Sequence, residues 1–111
     1  MNLREIADNL GLEENEYLEL MELFIETSSS DLDFLSAAIA EKDGSQAARA
    51  AHSLKGAAIN LGLVELFETA RTVEEKARNN QIKATAEAAE ELKKRFAGIA
   101  NALAPIMQKR P

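Results

Sequence analysis

His52 is the only histidine in the chain and the residue best suited to carry chemistry. Lys55 follows it at i+3 and Gly56 at i+4, so both lie about one turn from the imidazole if the segment is helical. An exposed imidazole ordinarily titrates near neutral pH, and its neutral form is a competent nucleophile. It can therefore attack a phosphoryl group. Lys55 can offset the charge of the phosphoryl oxygens. Gly56, which has no side chain, lets the backbone of a large partner approach.

The helix around His52 is predicted to be amphipathic, with the histidine pointing away from the core. At 100° per residue, its small apolar residues fall on the face opposite the imidazole. These are Ala47, Ala50, Ala51, Leu54, Ala57, Ala58 and Leu61. A glycine inside a helix costs roughly 1 kcal/mol relative to alanine. Because packing gives no reason for Gly56 on an outward face, its position favours a functional role.

The residues around His52 are expected to form a partly apolar docking surface. The third helix contributes Ala48, Arg49, Gly56 and Ile59, and the second helix flanks them with Leu20 and Phe24. Arg49, Arg71 and Arg78 either form a basic patch or pair with the many glutamates, and we favour pairing.

A carboxylate on the neighbouring helix is expected to bond the second ring nitrogen of His52 and to fix its tautomer. Glu74 is the candidate, because it lies beside the inward positions Ala70 and Val73. The alternative is that Glu74 forms an ordinary surface salt bridge.

Composition narrows the class of protein. The chain has 111 residues, no cysteine and a net charge of −6. Nucleic-acid binding needs clustered Lys and Arg, so the acidic balance argues against it. The sequence shows no membrane-spanning run and no signal peptide, and the absence of cysteine fits a reducing compartment. We therefore expect a cytoplasmic protein that does not insert into membranes.

Hydrophobic periodicity predicts five helices. The expected ranges are 3–10, 13–42, 44–61, 63–78 and 82–103, with Gly11 and Gly62 ending the first and third. The serines at 28–30 either bend the second helix or divide it at Asp31. The predicted fold is all-α: an antiparallel up-and-down four-helix bundle with a short N-terminal capping helix, forming a single domain over residues 1–111.

The segment Ala51-His52-Ser53-Leu54-Lys55-Gly56 resembles the His-x-x-Lys-Gly signature of histidine-containing phosphotransfer (HPt) domains. The following Asn60-Leu61-Gly62 and the helix after it also match, and the resemblance covers essentially the whole chain. It implies that His52 is phosphorylated on Nε2 and exchanges phosphate with an aspartate of a response-regulator receiver domain. It also implies that Lys55 stabilises the phosphoryl group, that Gly56 permits docking, and that Glu74 bonds the imidazole.

The resemblance implies a monomeric phosphoryl carrier rather than an enzyme, with a sensor histidine kinase as the second partner. The chain has no Gly-rich phosphate loop and no metal-ligand cluster of its own. No cofactor is expected, since the Mg²⁺ needed for transfer would be held by the receiver.

Other functions stay open at this point. The chain can be the phospho-acceptor domain of a chemotaxis-type or hybrid sensor kinase, or an adaptor bundle without phosphorylation. It can also be an acid/base enzyme that uses His52 and Glu74, but such a site should be concave and shielded from water.

Overall fold

The computed structural model describes residues 2–109 and consists of five helices. They are α1 (Leu3–Asn9), α2 (Glu14–Ala40), α3 (Gly44–Asn60), α4 (Val64–Arg78) and α5 (Ile82–Gln108). No strand occurs between residues 2 and 109, which confirms the all-α class. Residues 1, 110 and 111 of the predicted domain lie outside the described residues.

Side-chain caps and glycines set several of the helix ends. The Asn2 side chain accepts from the Glu5 N–H at 3.1 Å, and Asp43 Oδ1 accepts from the Gln46 N–H at 3.1 Å. These bonds satisfy N–H groups that have no partner inside the helix. Gly11 and Gly62 adopt φ values of 72° and 73° after α1 and α3, the left-handed conformation that commonly ends a helix. The predicted stops at both glycines are confirmed.

Two predicted boundaries differ from the structure by more than one residue. α2 ends at Ala40 rather than at Lys42, because Lys42 takes a left-handed conformation with φ 58° and leads into the Asp43 cap. α5 continues past Leu103 to Gln108 and includes Pro105. Pro105 has no N–H to donate to the Asn101 carbonyl, so α5 continues to Gln108 without that one hydrogen bond.

The serine segment does not interrupt α2. Ser29 Oγ donates to the Ile25 carbonyl at 2.8 Å, and Thr27 Oγ1 donates to the Leu23 carbonyl at 3.0 Å. Such bonds to the preceding turn satisfy these two hydroxyls without interrupting the helix. Of the two alternatives for this segment, a division at Asp31 is therefore wrong.

The histidine-bearing helix α3 packs against both α2 and α4, so its position fixes the site. Its buried apolar residues include Ala47, Ala50, Ala51, Leu54 and Ala58, which were predicted from the spacing. Tyr17 of α2 donates a buried hydrogen bond of 2.7 Å to the Leu61 carbonyl at the end of α3. Burial raises the pKa of Tyr17 to about 12, so the hydroxyl keeps its proton and the bond persists.

Candidate functional site

His52 lies on the outward face of α3, and its side chain is 62% exposed. The apolar face on the opposite side of the helix is buried against the neighbouring helices. An imidazole on this convex surface is accessible to a macromolecule, and it lacks the shielding that acid/base catalysis of a small substrate needs.

The predicted contact between His52 and Glu74 is present. Nδ1 of His52 lies 2.9 Å from Oε2 of Glu74, whose side chain is only 5% exposed. An ionised carboxylate can only accept, so Nδ1 is the donor and carries the proton. In the neutral imidazole this leaves the lone pair on Nε2. Nothing among the described residues hydrogen-bonds to Nε2, so the nucleophilic nitrogen is free.

Glu74 is the centre of a charged cluster that joins α3 and α4. Its Oε1 lies 2.6 Å from Lys55 Nζ, while its Oε2 accepts from Arg78 Nη2 at 2.6 Å and from Arg78 Nε at 3.1 Å. Burial alone would raise the pKa of Glu74. Hydrogen bonds from Lys55, Arg78 and His52, together with the charge of Lys55, outweigh burial and lower the pKa to about 2. Glu74 is therefore ionised at neutral pH although it is buried.

The depressed pKa of Glu74 predicts an acid-dependent loss of stability. The ionised carboxylate stabilises the folded state above pH 4.5, the ordinary value for the group, and this contribution disappears as the pH falls through about 2. We expect the wild type to lose roughly 2 to 3 kcal/mol from this group over that interval. Urea unfolding of the wild type and of Glu74→Gln across this pH range measures this loss. The variant has no carboxylate at position 74, so its free energy of unfolding should lack this pH-dependent contribution.

Glu68→Gln is the matched control for the acid titration. Glu68 is an exposed carboxylate of the same helix that pairs with Arg71 alone, and exposed pairs contribute little. This variant should follow the wild-type pH profile. A Glu74→Gln variant that loses stability in parallel with the wild type would contradict the assignment.

Four of the six residues predicted for the docking surface are accessible. Leu20, Arg49 and Ile59 are exposed, and Gly56 is partly exposed one turn after His52. A Cβ built on Gly56 meets nothing within 4 Å, so packing does not require the glycine.

The other two predicted docking residues, Phe24 and Ala48, are buried, so their assignment to the surface is wrong. Phe24 packs against Phe96 of α5, with ring centroids 5.9 Å apart. Ala48 lies two turns before Lys55, on the side of α3 that faces α4. Helical spacing places both residues at the border of the exposed face. Whether a side chain there is buried depends on how closely the neighbouring helix approaches it.

Sequence reasoning missed two exposed apolar side chains on α2, Leu23 and Phe34. Phe34 and Arg49 help to line a groove of about 360 Å³ between α2 and α3, beside His52. Phe34 lies fourteen residues after Leu20, so a seven-residue spacing places both on one strip of α2. This spacing is visible in the sequence and could have predicted that Phe34 shares a face of α2 with Leu20. We call Leu20, Leu23, Phe34, Arg49, Gly56 and Ile59 the docking face.

The charge of α3 differs from that of the rest of the chain. Its 17 residues include Arg49 and Lys55 but no Asp or Glu, whereas the whole chain carries −6. Arg78 of α4 adds a third cation next to His52. Three cations against the one Glu74 carboxylate leave an excess of positive charge beside His52, which favours a partner whose contact surface is acidic.

Comparison with known proteins gives two matches. The family model described as the Hpt domain matches residues 19–102. The fold is similar to a crystal structure of histidine-containing phosphotransfer protein B (HptB) from Pseudomonas aeruginosa PAO1, with a TM-score of 0.85 and 28% sequence identity. That match covers 97% of this chain and 94% of HptB. The search of curated proteins found no match. None of the helices between residues 2 and 109 combines the length and the hydrophobicity of a membrane-spanning segment.

Proposed function

Since this chain belongs to the Hpt domain family and has a histidine phosphotransfer role in a phosphorelay, we propose that His52 is the residue that carries the phosphoryl group. The observation that supports this most strongly is the hydrogen bonding of the two imidazole nitrogens. Nδ1 is held by Glu74, and Nε2 is free on an exposed face. No other histidine competes for the role.

The proposed reaction starts with a receiver domain that carries an aspartyl phosphate. The Nε2 lone pair of His52 attacks phosphorus, and an N–P bond forms as the P–O bond to the aspartate breaks. The receiver recovers its carboxylate, and His52 keeps the proton on Nδ1. The imidazole then gains positive charge, which the Glu74 carboxylate 2.9 Å away stabilises. The reverse reaction uses the same groups.

Lys55 is proposed to offset the charge of the phosphoryl group during transfer. In the unphosphorylated protein its ammonium group is bound to Glu74 at 2.6 Å, so this role requires a short movement toward Nε2. A lysine side chain has rotatable bonds that allow such a movement. We propose that Lys55 exchanges one anionic partner, Glu74, for another, the phosphoryl oxygens.

Lys55→Ala is expected to slow phosphotransfer roughly tenfold to a hundredfold without abolishing it, because the nucleophile remains. Rapid-quench measurement of transfer from a phosphorylated receiver gives the rate. Lys94→Ala, which removes an exposed lysine of α5, should leave the rate unchanged. Complete loss of transfer in a correctly folded Lys55→Ala protein would mean that Lys55 does more than offset charge.

The receiver is proposed to bind at the docking face. Its exposed Leu20, Leu23, Phe34 and Ile59 offer apolar area, and Arg49 supplies positive charge. The phosphorylation site of a receiver is acidic, so the two surfaces are complementary in charge. Gly56 leaves room for the partner next to the imidazole.

We propose that the Mg²⁺ used in transfer is held by acidic residues of the receiver. Among residues 2–109 the carboxylate bonded to His52 is that of Glu74 alone, and both of its oxygens already bind cationic side chains. This arrangement does not fit a divalent metal, which needs several free oxygen ligands.

The remaining proposals concern the architecture and setting of the protein. We propose that α2 to α5 form an antiparallel up-and-down four-helix bundle with α1 at one end, a topology supported by the short connections between consecutive helices.

We further propose a cytoplasmic monomer without autokinase activity, phosphorylated in a relay that begins at a sensor histidine kinase. Light scattering tests the monomer, and incubation with ATP alone tests the lack of autokinase activity.

The proposed function is tested by mixing the protein with phosphorylated receiver domains and following the label on both chains. We expect label to move to this protein within seconds and to move back when unphosphorylated receiver is added. An adaptor bundle would bind a receiver without taking its phosphate. Binding without transfer across a panel of receivers would therefore contradict the proposal.

A further inference from the structure

Arg78 is bound directly to Glu74, the residue that holds the imidazole of His52. Its side chain is 63% exposed, yet Nη2 and Nε both bind Oε2 of Glu74, at 2.6 and 3.1 Å. The same oxygen accepts the bond from Nδ1 of His52. A single carboxylate oxygen therefore joins the guanidinium group of α4 to the imidazole of α3.

The two cations on Glu74 differ in how firmly they can hold it. Lys55 is a point charge on a flexible stem, and it binds the other oxygen, Oε1. Arg78 presents a planar group whose two N–H donors converge on Oε2, which holds that oxygen in place next to Nδ1 of His52. If Lys55 turns toward the phosphoryl group, Arg78 is the cation that remains on Glu74.

We infer that Arg78 is a positioning residue for phosphotransfer: by holding Oε2 of Glu74, it keeps the proton of His52 on Nδ1 and the lone pair on Nε2 while Lys55 changes partners. This inference rests on the proposed role of His52. Arg78 does not contact the reacting atoms, so it acts only through Glu74. Without Arg78, the carboxylate is free to turn toward Lys55, and the bond to Nδ1 weakens. A larger share of the imidazole then carries its proton on Nε2 and cannot attack phosphorus.

The tautomer of His52 can be measured directly, because the chain has no other histidine. Selective ¹⁵N labelling of histidine gives one pair of ring-nitrogen signals, whose chemical shifts report which nitrogen bears the proton. The spectra are recorded on the unphosphorylated protein at alkaline pH. The wild type is expected to show the Nδ1–H form.

Arg78→Ala is expected to move the ring-nitrogen shifts toward the Nε2–H form and to slow transfer about tenfold, the effect of losing roughly one hydrogen bond. Arg78→Lys restores the charge but not the two-donor geometry, so it should recover only part of both effects. Arg71→Ala is the matched control, because Arg71 lies on the same helix and binds Glu68 instead. It should match the wild type in both measurements.

A double-mutant cycle shows whether Arg78 acts through Glu74. In a Glu74→Gln background, Arg78→Ala should have little further effect on either the tautomer or the rate, since the residues act as one unit. Unchanged ring-nitrogen shifts, an unchanged transfer rate, or additive effects in the cycle would each overturn the inference. If the wild type accepts no phosphate at all, the proposed role of His52 fails, whereas the NMR spectra still decide whether Arg78 sets the tautomer.

Discussion

Replacing His52 by glutamine is expected to abolish phosphoryl acceptance while leaving the fold intact. The side chain is 62% exposed and hydrogen-bonds to Glu74 at the surface, so its removal leaves no core cavity. The glutamine amide can donate to the Glu74 carboxylate in place of Nδ1, but it is not a nucleophile. We expect no label on the variant after incubation with a phosphorylated receiver, at a concentration where the wild type is labelled.

Ser53→Ala is the control for the His52 variant, because Ser53 is the neighbouring exposed nucleophile on α3. It should accept phosphate at the wild-type level. Circular dichroism and melting curves should be the same for all three proteins. Labelling of His52→Gln at the wild-type level would place the phosphoryl group on another residue and would refute the assignment.

Replacing Gly56 by glutamine is expected to block transfer without harming the fold. A Cβ at this position meets nothing within 4 Å, and a helix interior favours glutamine over glycine by roughly 0.5 kcal/mol. The variant should therefore be at least as stable as the wild type. The new side chain occupies the space beside His52 through which a receiver must approach. A clash that costs about 3 kcal/mol would weaken docking roughly a hundredfold.

Gly98→Gln is the matched control for the Gly56 variant. Gly98 is also inside a helix, and a Cβ there likewise meets nothing within 4 Å, but it lies on α5 rather than on the docking face. It should gain similar helix stability and transfer phosphate at the wild-type rate. Stopped-flow or rapid-quench rates for both variants test the docking face. An unchanged rate for Gly56→Gln would mean that the receiver does not approach along this part of α3.

The sequence predicted the outward position of His52 and made Glu74 the candidate for its hydrogen-bond partner, with an ordinary surface salt bridge as the alternative. Both follow from helical periodicity, since the buried faces of α3 and α4 determine which residues meet at their border. The stops at Gly11 and Gly62 were predictable for a similar local reason, because glycine readily takes the left-handed conformation.

Periodicity did not determine how closely neighbouring helices approach. Ala48 and Phe24 lie at the edges of exposed faces, and packing between helices covers both. Pairing of Arg71 and Arg78 with glutamates was predicted and is confirmed, but Glu74 was not identified as the partner of Arg78, although i+4 spacing is a known ion-pair signal. Many glutamates were available as partners, and only the structure shows that Arg78 and His52 share one oxygen of Glu74.

The most direct test is to locate the phosphoryl group on the wild-type protein after transfer from a receiver. Tandem mass spectrometry under basic conditions identifies the residue, and ¹⁵N–³¹P coupling in histidine-labelled protein identifies the nitrogen. We predict a single adduct on Nε2 of His52 that is stable to base and labile to acid. An adduct on Nδ1, or on any residue other than His52, would contradict the account.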